Sequence, residues 1–435
     1  MTLHREFNIY RETGSEIMAI ALPAIATNIT TPILGLVDVA ITGHIGEPVY
    51  IAAIAVGGTM FNILYWLFNF LRMGTTGLTA QAYGAGDADD RNAVLGRSLA
   101  VGLLLGIVML ALSRPLGSTI LGFLDADDSC ADFARQYFYI CIWGAPAVMA
   151  TYAMSGWLIG MQDTRATMYT ALITNIVNIG VSAALVYGAG RTIDGVATGT
   201  LIAQWTGALA AALFIAVRHR PRLPRLAIVR RAAPLRRFLS INIDIFLRTA
   251  CLVAVTLWFT HAGAVQSTEI LAANAVLLQL FMLFSFFMDG FAYAGEALGG
   301  KYLGRADSIG VRRLAKALLT IGAVFAVVFA AVYFFCGEWF VAVLTDNPPV
   351  RAIAADYLPW AAAIPLCGFA AFIYDGLFAG LTRTRPMLGA MAAAMAVFFA
   401  LYFALPAGMG NHGLWLAFDV YLLVRGAVEG LAFRT

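Results

Sequence analysis

Charge is what this chain has least of. Only 12% of its 435 residues are Asp, Glu, Lys or Arg, against 61% apolar; soluble domains run nearer a quarter charged. So few charges cannot wet a globular surface, which excludes an ordinary water-soluble fold and leaves lipid to cover the outside. Cysteine offers little more. Cys130, Cys141, Cys251, Cys336 and Cys367 stand far apart with no CxxC spacing. They read as small core hydrophobes, with a Cys130–Cys336 bridge as the alternative. Missing too are a Walker loop, a kinase signature, a GxSxG elbow and an HExxH pair, and no two of the five histidines stand at metal-ligand spacing. The Gly-rich string YGAGDADD lacks the lysine of a phosphate loop and reads as a turn. With no motif for ATP hydrolysis and no catalytic pair, an enzyme is not expected, and uphill work must draw on an ion gradient. The N-terminal MTLHREFNIYRETGSE shows no small-residue cleavage site, so the run after it reads as a mature helix.

What the chain has in quantity is long apolar runs. They are about twenty residues or more, the length of a membrane-spanning helix rather than of a barrel strand. Twelve spans follow, at roughly 16–43, 49–83, 93–113, 133–161, 166–187, 194–217, 237–262, 267–300, 314–336, 350–380, 386–406 and 412–433. Lys and Arg gather in alternate loops: Arg91, Arg97 and Arg165, the segment 218–237, Lys301 to Lys316, and Arg383 with Arg385. That bias puts those loops and both termini in the cytoplasm, in an inner, multi-pass membrane location. The basic 218–237 segment reads as a linker lying against anionic headgroups rather than as a nucleic-acid site. His44, His261 and His412 fall in outer loops, wet or sensing external pH.

The strongest pattern is internal. Shifted by 220 residues and without a gap, AAIAV (52–56) falls on AANAV (272–276), Gly84 and Asp87 on Gly304 and Asp307, and SGWLIGMQDTR (155–165) on DGLFAGLTRTR (375–385). The chain is therefore expected to be all-α and integral to the membrane, with twelve helices in two pseudo-symmetric six-helix lobes. The lobes would be 1–217 and 237–435, joined by the basic linker 218–236, and related by an axis along the membrane normal.

Polar residues inside the spans are the functional candidates. The first span carries Asp38 and two prolines, Pro23 and Pro32, each a hinge or a fixed kink. The fifth carries Asn175, Asn178 and Ser182, the last two on one face, and the sixth carries Thr200 and Gln204. A carboxylate facing such groups can hold a proton or a small cation. Asp38 lies about 31 Å of helical rise from the start of its span, so a functional acid and a solvated or capping one both fit the spacing. In the second half, Asp244 and Arg248 are an i,i+4 pair able to neutralise each other. Asp289 and Glu296 lie on the eighth span, Asp375 on the tenth, and Asp419 and Arg425 on the twelfth. They form a buried ion-pair network that fixes packing, or Asp375 or Asp289 lines a substrate cavity.

Taken together, ALPAIATNITTPILGLVDVAITGHIG (21–46), LRMGTTGLTAQAYGA (71–85), SGWLIG (155–160), MDGFAYAGEALGG (288–300), YDGLFAGLTRTR (374–385) and GNHGLWLA (410–417) resemble the MATE (multidrug and toxic compound extrusion) transporters, in their DinF-like branch. The resemblance runs over essentially the whole chain. It implies a twelve-helix antiporter exporting amphipathic organic cations and polyaromatic drugs in exchange for protons or sodium. It makes Asp38, fifteen residues after the bending Pro23, the coupling acid, with Asn178 and Thr200 as partners. Where many members carry a second Asp on the fifth helix this chain has Ser182, a departure that leaves a poor cage for sodium and favours the proton. Asp375 falls near an acid the family uses on its tenth helix. A flippase for lipid-linked precursors is the alternative within the superfamily. The chain is expected to work as a monomer, with no cofactor beyond its coupling ion and no nucleic-acid partner.

Overall fold

The computed structural model describes residues 2–43, 48–124, 128–222 and 231–434; within them, the side chains of 2–10, 31–36, 38–40 and some helix-end positions lie outside the description. The described chain is helical throughout. In order the helices are α1 (Thr2–Gly43), α2 (Pro48–Phe68), α3 (Phe70–Gly84), α4 (Ala88–Ala111), α5 (Ser113–Leu124), α6 (Asp128–Cys141), α7 (Ala145–Gly160), α8 (Thr164–Ala183) and α9 (Ile193–Phe214). They continue as α10 (Ala232–Gln266), α11 (Thr268–Gly304), α12 (Ser308–Leu344), α13 (Pro348–Gly380), α14 (Thr384–Ala404) and α15 (Gly410–Arg434). The expected twelve rods are present. The second is broken at Asn69 into α2 and α3, and the fourth steps through a 3₁₀ turn at Ile142–Gly144 between α6 and α7. The short α5 is an addition the apolar pattern did not announce. Among the described residues, ten helical stretches are long and apolar enough to cross a bilayer. The other two rods are α1 and α15; the latter carries Asp419, Arg425 and Glu429 on a largely buried helix.

The 220-residue repeat is written into the backbone. Four helix ends close in the same way, with a left-handed residue at Gly86, Gln162, Ala306 and Thr382. Two of these pairs, 86 with 306 and 162 with 382, are 220 apart. In each turn the next amide reaches back to a carbonyl five residues earlier: Asp87 to Ala82, Asp163 to Leu158, Asp307 to Tyr302 and Arg383 to Phe378. This is the closure that satisfies orphan carbonyls at a helix end. Asp87, Asp163 and Asp307 then cap the following helix by accepting from the amides of Asp90, Ala166 and Gly310.

The repeat extends to packing. A methyl group at Gly156 would overlap the carbonyl of Arg72, and one at Gly160 would lie 2.8 Å from that of Thr76. Their counterparts Gly376 and Gly380 stand equally close to the carbonyls of Ala292 and Glu296. In both halves a Gly-x-x-x-Gly face lets two backbones touch, the packing that holds helices together where lipid removes the hydrophobic drive. These crossings join α3 to α7 and α11 to α13.

By packing, the chain divides into one unit of residues 26–242 and another of 1–25 with 243–435. The expected lobes were 1–217 and 237–435, so the start of α1 belongs with the second half. The reason is specific. Glu16 accepts from Lys301 Nζ at 2.9 Å and from the Tyr302 hydroxyl at 2.7 Å, and Gly290 gives room to Ile25 and the carbonyl of Ala21. The division falls inside α1, less than one turn past Pro23. Within the same unit Asn274 and Asn411 exchange amide hydrogen bonds at 2.8 Å, and the Trp415 indole donates to Asn274 Oδ1 at 2.9 Å. That clip between α11 and α15 satisfies buried amides in the way a dry interior requires. All five cysteines are free thiols, so the Cys130–Cys336 alternative is not formed.

The start of the basic linker is tied down. Arg218 donates to both oxygens of Asp163 at 2.9 and 3.0 Å, and His219 Nε2 lies 3.1 Å from the same carboxylate. Burial works against ionising Asp163, but the bonds from His219, Arg218 and the Ala166 amide outweigh it and hold the group down at about 2. Its contribution is therefore present above the ordinary carboxylate range near 4 and is lost as pH falls through about 2.

Two outcomes follow. Gly156→Ala and Gly376→Ala force the backbones apart and lower stability by about 1–3 kcal/mol, read as a lower unfolding temperature in detergent. Gly389→Ala, where nothing lies within 4 Å, leaves it unchanged. Asp163→Ala frees the segment after α9, so trypsin cuts at 218–222 faster than in the parent protein at neutral pH.

Candidate functional site

In the unit of residues 26–242 the polar residues singled out on α8 and α9 do come together. Asn178 Nδ2 donates to Thr200 Oγ1 at 2.9 Å. One turn along α8, Ser182 seats against Gly199, where any side chain would collide with its hydroxyl. Asn178 and Ser182 are 1% and 0% exposed, yet Asn178 Oδ1 and Ser182 Oγ meet no partner among the described residues. Nearby, the buried Tyr65 hydroxyl on α2 faces the Gln204 side chain. An unmatched buried polar atom is costly, so each needs an account. Tyr65 was not a candidate from the sequence, because a tyrosine among the aromatics of an apolar run gives no sign that its hydroxyl is buried.

α1 is held against this face at two points. Asn175 Nδ2 donates to the carbonyl of Thr30 at 3.3 Å, and the Tyr187 hydroxyl to that of Ile41 at 3.3 Å. Asp38 lies on α1 between these anchors. Its side chain and that of Pro32 are outside the described residues, while Pro23 sits partly buried within the helix.

In the unit of 1–25 with 243–435 the second-half candidates form an ionic core, with partners other than spacing suggested. Arg248 on α10 pairs not with Asp244 but with Asp375 on α13, and Arg425 on α15 pairs with the same Asp375. Asp244 instead accepts from the Thr384 hydroxyl at 2.6 Å. An i,i+4 spacing grants reach, but Asp375 is 4% exposed and its charge needs a cation more than that of Asp244. Asp289 and Glu296 on α11 lie within electrostatic range of Arg248. Asp375 is thus committed to two guanidinium groups, which favours the packing reading for it over a cavity-lining one. Glu429 went unnoticed in the sequence, although its i,i+4 relation to Arg425 was the available signal. Arg72 on α3 donates its Nε to Asn69 Oδ1 at 3.2 Å.

Neither cluster is built for covalent chemistry. One is a set of neutral hydroxyls and amides on α8 and α9 beside α1; the other is a network of opposed charges. The MatE family model matches twice, over residues 23–184 and 241–404, and 184 plus 220 is 404, the period read from the sequence. The chain is 36% identical over 409 residues to the DNA damage-inducible protein F of Escherichia coli, covering 94% of this chain and 89% of that one. It is 27% identical over 450 residues to a probable multidrug resistance protein NorM of Xylella fastidiosa, covering 97% and 92%. In fold it is similar to a MOP superfamily transporter of Pyrococcus furiosus, with a TM-score of 0.87 at 16% identity over 97% of this chain and 95% of that one. It is equally similar to an outward-facing multidrug resistance MATE transporter, at 0.87 and 17% identity over the same shares. The chain belongs to the MatE family, multi-pass membrane proteins that are transporters and not enzymes.

Proposed function

We propose that this protein is a proton-driven antiporter that exports amphipathic organic cations and flat aromatic compounds by alternating access. It works as a monomer in the inner membrane with both termini in the cytoplasm. The observation that carries the reading is the neutral, half-satisfied polar face of α8 and α9: the acceptor Asn178 Oδ1 and the hydroxyl Ser182 Oγ are buried without a partner among the described residues, and a protonated carboxylic acid is a donor that fits them. Asp38 on α1 supplies it. With its proton on, the acid is neutral and completes the face; with its proton off, it is an anion suited to a cationic cargo. Proton and cargo then exclude each other at one group, and that linkage is what makes exchange.

Sodium is the weaker choice. A small hard cation wants several oxygen ligands with enough negative charge, and α8 offers the hydroxyl of Ser182 where a second carboxylate would serve better. Energetically one pH unit supplies about 1.4 kcal/mol per proton, and a potential of about 100 mV supplies ~2.3 kcal/mol per charge moved. One proton exchanged for one monovalent cation moves no net charge and feels only the first term.

Reconstituted into liposomes, Asp38→Asn abolishes efflux driven by a pH gradient; undiminished efflux would remove Asp38 from the mechanism. Thr200→Val breaks the Asn178 bond, worth about 0.5–1.5 kcal/mol, and shifts the pH at half-maximal exchange by up to about one unit. Replacing sodium with choline leaves the wild-type rate unaltered, whereas a rate that falls with sodium assigns coupling to that ion. In a host lacking its own efflux pumps the gene raises resistance to cationic dyes; a host no more resistant with the gene than without it speaks for another cargo.

A further inference from the structure

Glu429 is fully buried, at 0% exposure, in the last turns of α15, and neither of its carboxylate oxygens meets a donor among the described residues. Arg425, four residues earlier and 1% exposed, is within its reach. Yet Arg425 is turned to Asp375, which already holds Arg248. Two cations therefore converge on one carboxylate while a second, beside them, has none. The groups facing Glu429 come from three helices: Arg248 on α10, Tyr374 on α13, and Tyr421 and Arg425 on α15. Asp289 and Glu296 on α11 also lie within range of Arg248, and Asp289 of Arg425, so Asp375 and Glu429 share these two guanidinium groups with further acids, and carboxyl groups are in excess around the pair. A dry interior disfavours that excess, and a proton relieves part of it. Asp419, the other donor-less acid of α15, sits toward Cys367 with Phe418 and its aromatic neighbours beside it and forms no ion pair among the described residues. Of these two acids of α15, Glu429 is the one with a cation in reach among the described residues, Arg425.

We propose that Glu429 is a second proton-binding group of the transport cycle. While it holds its proton, Arg425 stays on Asp375. When the proton leaves to water near the end of α15, roughly 7.5 Å of helical rise away, Arg425 turns to Glu429 and Arg248 alone keeps Asp375. One proton is released or taken up, and one ion pair is traded for another. This rests on the antiport reading above and gives the cycle a second proton, so that exchange for a monovalent cation carries net charge.

Two measurements on the full-length protein test it. In detergent, the infrared carbonyl band of a buried protonated acid is lost on raising pH and is missing from Glu429→Gln; identical bands in the two proteins overturn the proposal. In liposomes, an imposed potential of about 100 mV shifts the wild-type distribution of a monovalent dye cation by about 50-fold. Glu429→Gln falls to a one-proton mode that answers a pH gradient but not the potential, and a retained response to potential overturns the proposal. Should wild type show no pH-driven exchange at all, the antiport reading fails and the infrared result decides on Glu429. Glu429→Met, an apolar stand-in for the neutral acid, folds as Gln does; if both variants fail to fold, Glu429 is a fixed ion-pair partner and the proposal falls.

Discussion

Two helix crossings, 220 residues apart, carry the rest of this structure. At each, a Gly-x-x-x-Gly face lets backbone meet backbone: Gly156 and Gly160 on the carbonyls of Arg72 and Thr76, Gly376 and Gly380 on those of Ala292 and Glu296. Lipid provides no drive to bring apolar helices together, so close van der Waals approach must do it. Once the backbones are locked, the residues flanking the glycines are delivered to fixed places. In the first half those are Ser155 and Thr76; in the second the same positions are Asp375 and Glu296. One scaffold thus presents neutral hydroxyls in one half and charge in the other.

That difference sets the chemistry of the halves. Around α8 and α9 the interior is polar but uncharged, with Asn178 bonded to Thr200 and acceptor atoms left over. Around α10, α13 and α15 the interior is ionic, and its charges constrain one another: Asp375 cannot serve a ligand while two arginines hold it. Opposed charges in a dry medium are strong only in company, which makes such a network sensitive to the gain or loss of one proton.

The repeat was plain from the residues because Gly, Asp, Thr and Arg recur at a fixed offset. The structure returns it in the left-handed turns at Gly86, Gln162, Ala306 and Thr382 and in two matches to the family model. The Asn178 and Thr200 contact was legible because helical periodicity and the resemblance pointed to the same face. The pairing of Arg248 was not. Its neighbour Asp244 is close in sequence, and nothing local reveals that α13 brings a better-buried carboxylate to it. Glu429 was missed for the same reason: burial belongs to the assembled unit.

By itself the sequence determined the membrane setting, the number of rods, the doubling of the chain and the polar positions inside it, since these follow from composition and period. Only the tertiary structure decided which charges are partners, which buried atoms lack one among the described residues, and that the first 25 residues pack with the second half. Those depend on contacts between residues hundreds of positions apart, such as Glu16 with Lys301 and Arg248 with Asp375. Local spacing limits what a side chain can reach, and the fold chooses among the possibilities.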